Sequence, residues 1–164
     1  MNPVDEQGLS VSRFLVSPRV LLFIFNGQEI LLIKGSEKKK IWPGYYNGIG
    51  GHIEIGEDAG EATIRELREE TGIDNLGLYL CGTIINEGEN NRGILLMVYK
   101  GEYSGKTITS SEEGKLEWKN IYELQGLPLV EDIPALLPVV FAHRLGEKPF
   151  SGKSYYDGNG KLII

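Results

Sequence analysis

Three glutamates, Glu66, Glu69 and Glu70, are spaced three and four residues apart, which places them on one side of any helix that contains them. Like charges at these spacings destabilise a helix by roughly 0.2 to 0.5 kcal/mol per pair, so we expect a cation to offset them. Arg65 can reach Glu69, but one guanidinium does not neutralise three carboxylates. A hard divalent cation does, and Mg²⁺ is usually held by one or two carboxylates together with substrate phosphates. The spacing therefore favours a magnesium site, whose oxygen ligands also suit Mn²⁺.

The helix that carries these acids is predicted over residues 58–71. Asp58 is a typical N-cap, Glu61 three residues later completes a capping box, and Gly72 is a typical C-terminal stop. The arc of this helix that we expect to be buried consists of Ile64, Leu67 and Thr71. Taken alone, the helix is equally compatible with a solvated acidic face, which is the ordinary explanation of a charge run.

The loop before this helix, residues 47–51, is rich in glycine, which lets backbone approach a ligand closely. The Gly50 carbonyl is therefore expected to bind the same metal. Asn47 is a polar side chain between glycines and an apolar strand, so we expect it to contact a ligand. The neighbouring aromatic residues can stack on a nucleobase or pack in the core; they are Trp42, Tyr45 and Tyr46.

Composition restricts the class of protein. The 164 residues are 41% hydrophobic and 24% charged, which is ordinary for a soluble globular domain. The net charge of −6 argues against binding a nucleic acid polymer through its phosphates, while a small phosphorylated ligand bridged by a metal stays compatible. Residues 1–10 lack the basic start and apolar run of a signal peptide, and no apolar stretch approaches the ~20 residues that cross a bilayer. We therefore expect a cytoplasmic protein without membrane contact.

Two β-hairpins are predicted in the first two thirds of the chain. Residues 19–25 and 29–34 are apolar runs on either side of Asn26-Gly27, the strongest short-range hairpin signal. Residues 76–86 and 93–103 are rich in β-formers and are joined by polar turn residues. These strands are expected to form the sheet against which the acidic helix packs.

Acids also occur in the polar loop of residues 104–114 and just after it. Glu113 and Glu117 each either supply a metal ligand or base from outside the helix, or simply decorate the surface. A short helix is predicted near residues 121–124, and a longer apolar one over residues 133–144 is expected to pack on the sheet.

The remaining features are consistent with a single domain over residues 1–164. Cys81, the only cysteine, lies in an apolar strand pattern and is predicted to be a core thiol, with no disulfide. The lysines at 38–40 either lie in a solvated loop or attract a polyphosphate to the acidic site. Residues 150–164 predict a final hairpin, and the polar residues 1–12 are predicted to be partly disordered.

The stretch from Gly51 to Ile73 fits the pattern G-x5-E-x7-R-E-U-x-E-E-x-G-U, with U aliphatic, at every fixed position. The matching residues are Gly51, Glu57, Arg65, Glu66, Leu67, Glu69, Glu70, Gly72 and Ile73. This stretch resembles the Nudix box, the signature of enzymes that hydrolyse nucleoside diphosphates linked to another moiety. The resemblance implies an α+β domain in which a mixed β-sheet forms an α/β/α sandwich, and it favours the metal site over a solvated helix face.

The resemblance also implies roles for the matching positions. The implied metal ligands are Glu66, Glu69 and Glu70, with the Gly50 carbonyl in addition, and Glu57 resembles the residue that supports the metal site from its edge. Glu113, from the polar loop outside the box, is a further predicted metal ligand. Arg65 resembles the arginine that orients the glutamates. Either Glu69 or Glu66 is expected to act as the general base, and the sequence does not decide between them.

Segments outside the box, 46–54, 112–118 and 127–132, are similar to the MutT-type subgroup, which hydrolyses oxidised purine nucleotides such as 8-oxo-dGTP. This similarity implies substrate contacts, which fall here on Asn47, Asp132, Lys34 and Gly51. Asp132 is also a natural N-cap for the last helix, and the sequence leaves both roles open.

Together, these features predict a magnesium-dependent pyrophosphohydrolase that cleaves a purine nucleoside triphosphate, oxidised or ordinary, to a nucleoside monophosphate and pyrophosphate. Hydrolysis of ADP-ribose or of a dinucleotide polyphosphate is the alternative within enzymes. A nucleotide-binding regulatory module without catalysis is the alternative of another class, and the intact set of mutually repelling acids counts against it. The expected partner is a small nucleotide, and both a monomer and a homodimer are compatible with the sequence.

Overall fold

The computed structural model describes residues 3–7, 12–105 and 107–164. Its helices and strands are α1 (Pro3–Glu6), β1 (Leu15–Asn26), β2 (Glu29–Gly35), β3 (Tyr46–Asn47), β4 (Ile49–His52), α2 (Ala59–Thr71), β5 (Leu78–Glu87), β6 (Arg92–Glu102), β7 (Gly114–Asn120), α3 (Ile133–Ala142), β8 (Phe150–Tyr156) and β9 (Leu162–Ile163). Half of the segment 1–12, which was predicted to be partly disordered, lies outside the described residues, namely residues 1, 2 and 8–11, whereas residues 3–6 form α1.

Strand β1 is the centre of a mixed sheet that forks beside it. One edge of β1 pairs with β6 in parallel along nearly its whole length. The other edge is shared, since β4 pairs with residues 19–22 and β2 pairs with residues 24–26, both antiparallel. Strands β1 and β2 therefore diverge away from their common turn, and the segment 46–52 fills the gap by pairing with β2 through β3 and with β1 through β4.

Both faces of this sheet are covered, which explains why the central strand is apolar without alternation. Phe23 and Phe25 of β1 pack on the side of α3, whereas Leu22 and Ile24 pack on the side of α2. All four side chains are almost completely buried. Side chains of a strand alternate between faces, so two covered faces require an uninterrupted apolar run. The predicted α+β class and α/β/α sandwich are thus confirmed.

Both predicted hairpins form, with one difference in the first turn. Strands β1 and β2 pair antiparallel, and so do β5 and β6. The first hairpin closes with the pair Asn26 and Glu29, so the two loop residues are Gly27 and Gln28 rather than Asn26 and Gly27. Gly27 has φ 60°, as the first position of a type II′ turn requires, and glycine adopts this conformation without strain.

Strand β7 and the residues after it correct the prediction for this region. No strand was predicted here from the sequence, but β7 pairs with β2 along its whole length. The signal was present as a period of two, because Leu116 and Trp118 face the core on the side of α2 while Glu117 faces away from it. The short helix predicted near residues 121–124 is wrong; the chain forms turns there, held by the bond from Ile121 N to Gln28 O (2.9 Å).

The polar face of β7 carries an ion-pair network around Glu117. Its carboxylate accepts hydrogen bonds from Lys119 (2.6 Å) and from the hydroxyl of Tyr46 (3.0 Å), and Lys115 lies 3.4 Å away. The bond from Lys119 is the main reason that the pKa of Glu117 is lowered to about 2 from its ordinary value of 4.5. Glu117 therefore links β7 to β3 and does not line the cavity described below.

Replacing Glu117 by glutamine is expected to destabilise the protein at neutral pH and to have a diminishing effect in acid. A lowered pKa means that the ionised carboxylate stabilises the fold above about pH 4.5, and this contribution is lost as the pH falls toward about 2. Urea unfolding between about pH 7 and pH 3 measures the change. Glu123→Gln, at an exposed carboxylate without a side-chain partner among the described residues, is the control. A pH-independent difference between E117Q and the original protein contradicts the prediction.

The chain beyond α3 joins the sheet. Strand β8 pairs in parallel with β5, and β9 folds back antiparallel on β8, which confirms the final hairpin. The register places Ser154 opposite Asn86. No helix of the described residues is long and apolar enough to span a membrane.

Candidate active site

Helix α2 begins and ends as predicted. The Asp58 side chain accepts a hydrogen bond from Glu61 N (2.9 Å), and the Glu61 side chain accepts one from Asp58 N (2.9 Å), which completes the capping box. Gly72 ends the helix with φ 73°. The predicted buried arc is wrong at Ile64, which is 44% exposed, whereas Glu70 is buried at 6% exposure. The helix is thus rotated so that one of its acids faces the sheet.

Arg65 binds most of the acids through a planar fork of hydrogen bonds. It contacts Glu57 through two nitrogens, at 2.6 and 3.0 Å. Its Nη1 donates to Glu66 (2.8 Å) and to Glu69 (3.2 Å), and its Nη2 donates to the carbonyl of His52 (2.9 Å). These bonds raise the pKa of Arg65 and lower the pKa of Glu57. Three carboxylates are therefore held in one arrangement by a single guanidinium.

Glu70 is placed differently from the other acids. Its carboxylate accepts a hydrogen bond from Gly50 N (3.2 Å) and forms no salt bridge within the described part of the chain. Burial, followed by the negative charge of Glu66, raises its pKa to about 8. Near neutral pH this carboxyl is therefore largely neutral until a cation binds next to it.

The glycines before α2 are required by close packing. A Cβ on Gly51 would collide with the carboxylate of Glu66, and a Cβ on Gly50 would collide with the backbone of Val20. Gly51 thus lies behind Glu66 and does not line the cavity. Gly50 lines the cavity beside Glu70. Its N–H, rather than the carbonyl that was predicted to bind the metal, donates the hydrogen bond to the Glu70 carboxylate.

The oxygen donors fit a divalent cation such as Mg²⁺ in their chemistry. No group of three or more His, Cys, Asp or Glu side chains in residues 3–7, 12–105 and 107–164 is arranged to enclose a metal on its own. Mg²⁺ does not require one, since it is usually held by one or two carboxylates together with substrate phosphates and water. Glu70, buried and without a cationic partner, together with the half-buried Glu66, fits that requirement.

A cavity of about 300 Å³ lies where β1 and β2 diverge. Its walls include several of the predicted site residues and several others: Arg19, Gly35, Lys39, Trp42, Tyr45, Asn47, Gly48, Gly50, Glu70, Asn86, Glu113 and Asp132. Asn47 and Asp132 reach it together because the segment 128–130 runs beside β3, with bonds from Tyr46 N to Pro128 O (2.7 Å) and from Val130 N to Tyr46 O (3.0 Å). The cavity thus joins Glu70, the one residue of α2 that lines it, to an amide and carboxyl part. The predicted site residues Glu57, Arg65, Glu66 and Glu69 are not among its lining residues.

The predicted substrate-contacting residues separate into two groups. Asn47 lines the cavity, and its Oδ1 accepts a bond from Gly48 N (2.8 Å), which leaves its NH₂ group available. Asp132 also lines the cavity; it occupies the N-cap position of α3 but makes no capping bond, and burial raises its pKa. Lys34 does not line the cavity. Its ammonium lies 5.8 Å from the centre of the ring of Tyr46.

The aromatic residues near the cavity have different roles. Tyr46 is a core residue, bonded through its hydroxyl to Glu117. Tyr45 and Trp42 line the cavity and are each more than one third exposed. Trp42 has φ 51°, an unusual backbone conformation for a bulky residue, and such outliers often occur at functional sites.

Three residues that line the cavity, and one that lines an adjoining space, were not predicted as site residues from the sequence. Arg19, in the first half of β1, and Asn86, at the end of β5, line the cavity although neither had a motif. Lys39 was one of the three lysines for which a solvated loop was the alternative; it lines the cavity and pairs with Glu113 (3.0 Å). Ser154 lines an adjoining space. Cys81 is a buried thiol, as predicted, and burial raises its pKa to about 11.

The family is decided by the match of residues 16–139 to the Nudix domain. The chain belongs to the Nudix family. It is 35% identical over 91 residues to the uncharacterized Nudix hydrolase YvcI of Bacillus subtilis, covering 52% of this chain and 58% of that protein. It is 29% identical over 134 residues to the NAD-capped RNA hydrolase NudC of Stutzerimonas stutzeri, covering 80% of this chain and 46% of that protein. The chain therefore spans about half the length of the curated relatives it matches.

A crystal structure of a MutT protein from Bacillus halodurans has the same fold, with a TM-score of 0.70 over 91% of this chain and 95% of that one. At 24% identity this likeness concerns the fold. The two curated relatives described above do not carry the MutT name. The Nudix prediction is confirmed, and the MutT-type assignment stays a prediction.

Proposed function

We propose that this Nudix protein is a magnesium-dependent hydrolase that cleaves a purine nucleoside triphosphate, oxidised or ordinary, to a nucleoside monophosphate and pyrophosphate. The observation that carries the proposal is that one cavity is lined by both Glu70 of the box helix and the pair Asn47 and Asp132. A nucleotide has the same polarity, with phosphates at one end and a base with polar edges at the other.

The cavity provides complementary groups for both ends. Its volume of about 300 Å³ is at the lower limit for small-molecule sites, which suits a ligand whose phosphates extend toward solvent. Arg19 and Lys39 line it and can pair with phosphate oxygens. Arg19 has no side-chain partner in the described residues, so its charge is available. The exposed indole of Trp42 offers a stacking surface for the base.

The metal would be held by Glu66 and Glu70, with Glu57, Glu69, Glu113 and the Gly50 carbonyl as the further predicted ligands. When bound, Mg²⁺ supplies neutralisation of the phosphate oxygens. Glu69 is the better-placed base, since its side chain is 59% exposed and held by Arg65, whereas that of Glu66 is 13% exposed. In the proposed step, Glu69 accepts a proton from water as the water oxygen bonds to phosphorus and the P–O bond to pyrophosphate breaks.

Hydrolysis of a dinucleotide is the second candidate, because relatives named NAD-capped RNA hydrolases cover 80% of this chain. Because these relatives are named for an RNA substrate, they do not support the expectation that this chain has no nucleic acid partner. That expectation rests on the net charge of −6 alone. The intact set of mutually repelling acids on α2 counts against a purely binding role. A monomer and a homodimer both stay compatible with the sequence.

Release of phosphate and pyrophosphate from a panel of substrates tests the proposal. The panel contains 8-oxo-dGTP, dGTP, other nucleoside triphosphates, ADP-ribose, NAD⁺ and a dinucleotide polyphosphate, with Mg²⁺, with Mn²⁺ and with chelator. We expect metal-dependent release of pyrophosphate from purine triphosphates. Faster cleavage of NAD⁺ or ADP-ribose would replace the proposed substrate while keeping the metal chemistry, and absence of turnover across the panel would overturn the proposal.

A further inference from the structure

A second cavity, of about 50 Å³, adjoins the first and is surrounded by unsatisfied polar atoms. Trp42, Asn86, Val130 and Asp132 line both cavities. Among the described residues, three buried side-chain atoms have no hydrogen-bond partner: Asn86 Oδ1, Asp132 Oδ1 and Ser154 Oγ. All three residues line this second cavity, which we call the inner chamber.

The convergence of these atoms on one small space points to a ligand. Buried polar groups are nearly always hydrogen-bonded, and each one left unsatisfied costs roughly 1 to 3 kcal/mol. The three atoms come from separate parts of the chain, namely β5, the residue before α3, and β8, so no single local distortion explains them. Ser154 is 1% exposed, and the parallel pairing of β5 with β8 fixes it beside Asn86.

The back of the inner chamber is closed by the β8–β9 hairpin. Tyr156 and Leu162 line it, together with Glu131. The hydroxyl of Tyr156 donates to the carboxylate of Glu131 (2.6 Å), which ties the hairpin to the segment that carries Asp132. The chamber is therefore a small side pocket of the larger cavity. Its volume of about 50 Å³ accommodates one small substituent of a ligand.

The unsatisfied atoms define the chemistry of that substituent. A carboxylate oxygen and an amide oxygen are acceptors, and a serine hydroxyl accepts as well as donates. The complementary group is a compact donor of two hydrogen bonds. On a purine, the exocyclic amino group fits this description, whereas a carbonyl oxygen would face two acceptors.

We propose that the inner chamber binds the exocyclic amino group of the base, and that Asn86 and Ser154 are specificity-determining residues beside Asp132. This inference rests on the proposed function, because it assumes that the base end of a nucleotide occupies the cavity near Trp42. Ser154 acts in binding and does not touch the phosphates or the acids of α2.

The test compares nucleotides that differ by one amino group. Guanosine and inosine triphosphates form one such pair, and adenosine and purine riboside triphosphates form the other. We expect the amino-bearing member of at least one pair to have a kcat/KM about three- to tenfold higher, and Ser154→Ala to remove most of this preference through KM with little change in kcat. Because Ser154 Oγ bonds to no other protein atom of the described residues, S154A is expected to be about as stable as the original.

Ser151→Ala is the matched control, since Ser151 is an exposed residue of the same strand. The inference is overturned if neither pair is discriminated, or if S154A keeps the full preference; turnover that persists in either case leaves the proposed function intact. Calorimetric binding of the corresponding monophosphates separates the two proposals. An amino-dependent affinity that S154A removes, in a protein that hydrolyses nothing in the panel, supports the inner chamber and overturns the hydrolase.

Discussion

Replacing Glu70 by glutamine is expected to lower kcat by at least about a hundredfold without unfolding the protein. Glutamine has the same shape and still accepts the hydrogen bond from Gly50 N, but it carries no charge with which to bind a divalent cation. The cation contributes several kcal/mol of stabilisation to a phosphoryl transition state, and each 1.36 kcal/mol corresponds to a factor of ten in rate. Steady-state turnover of the best substrate, with Mg²⁺ varied, measures the loss.

Thermal unfolding in chelator provides the structural control for E70Q. Burial raises the pKa of Glu70 to about 8, so ionising it costs stability as the pH rises from about 4.5 to about 8. E70Q avoids that cost and is expected to match or exceed the original protein in Tm, with an advantage that grows over this range. Glu89→Gln, at an exposed turn, is expected to change neither property. Near-native turnover by E70Q would remove Glu70 from the mechanism.

Replacing Arg65 by lysine is expected to lower both kcat and Tm although the charge is kept. Arg65 makes five hydrogen bonds, to Glu57, Glu66, Glu69 and the carbonyl of His52. A lysine ammonium has three donors at a single point and cannot reproduce a planar fork. Residues that orient metal ligands typically contribute about ten- to a hundredfold to activity or metal affinity, so a loss in that range is expected. Turnover and the Mg²⁺ concentration for half-maximal rate measure it.

Arg68→Lys is the matched control for R65K. Arg68 lies on the same helix, but its side chain is 61% exposed and pairs with Asp74 (2.7 Å). Exposed pairs of this kind contribute little, so R68K is expected to leave turnover unchanged. Combining R65K with Glu57→Gln gives a further check, because residues of one network lose activity non-additively. If R65K retains full activity, the backbone rather than Arg65 positions the acids.

Local signals predicted the box helix well. The capping box of Asp58 and Glu61 and the stop at Gly72 act within one or two turns, so the sequence contains all the information that they need. The exposure of Ile64 and the burial of Glu70 were not predictable in the same way. They depend on how α2 rests on the sheet, where Gly50, twenty residues away in sequence, bonds to Glu70.

The amide and carboxyl part of the cavity was predictable only in part. Asn47 and Asp132 were found because they lie in motifs, whereas Asn86 and Ser154 come together through the parallel pairing of β5 with β8, which no short-range pattern specifies. Arg19 lies within a largely apolar strand and belongs to no motif, so its position in the cavity was not predictable. In β7, apolar and polar side chains alternate with a period of two, which is typical of a strand. Its charged residue Glu117 was instead interpreted as a metal ligand or a surface residue, and no strand was predicted.

The inner chamber and the acids of the box helix lie on different elements of the chain, since Ser154 belongs to β8 and the acids belong to α2. All seven residues of β8 are described; Ser154 is the one fully buried among them, and the partly buried Phe150 packs against the hydrophobic core on the side of α3. If the inner chamber binds the base as proposed, substitutions around Ser154 in β8 are expected to change the fit of the base, while the residues of α2 stay fixed by the requirements of hydrolysis. Under that proposal, the box helix and the base-binding strand can change independently of each other.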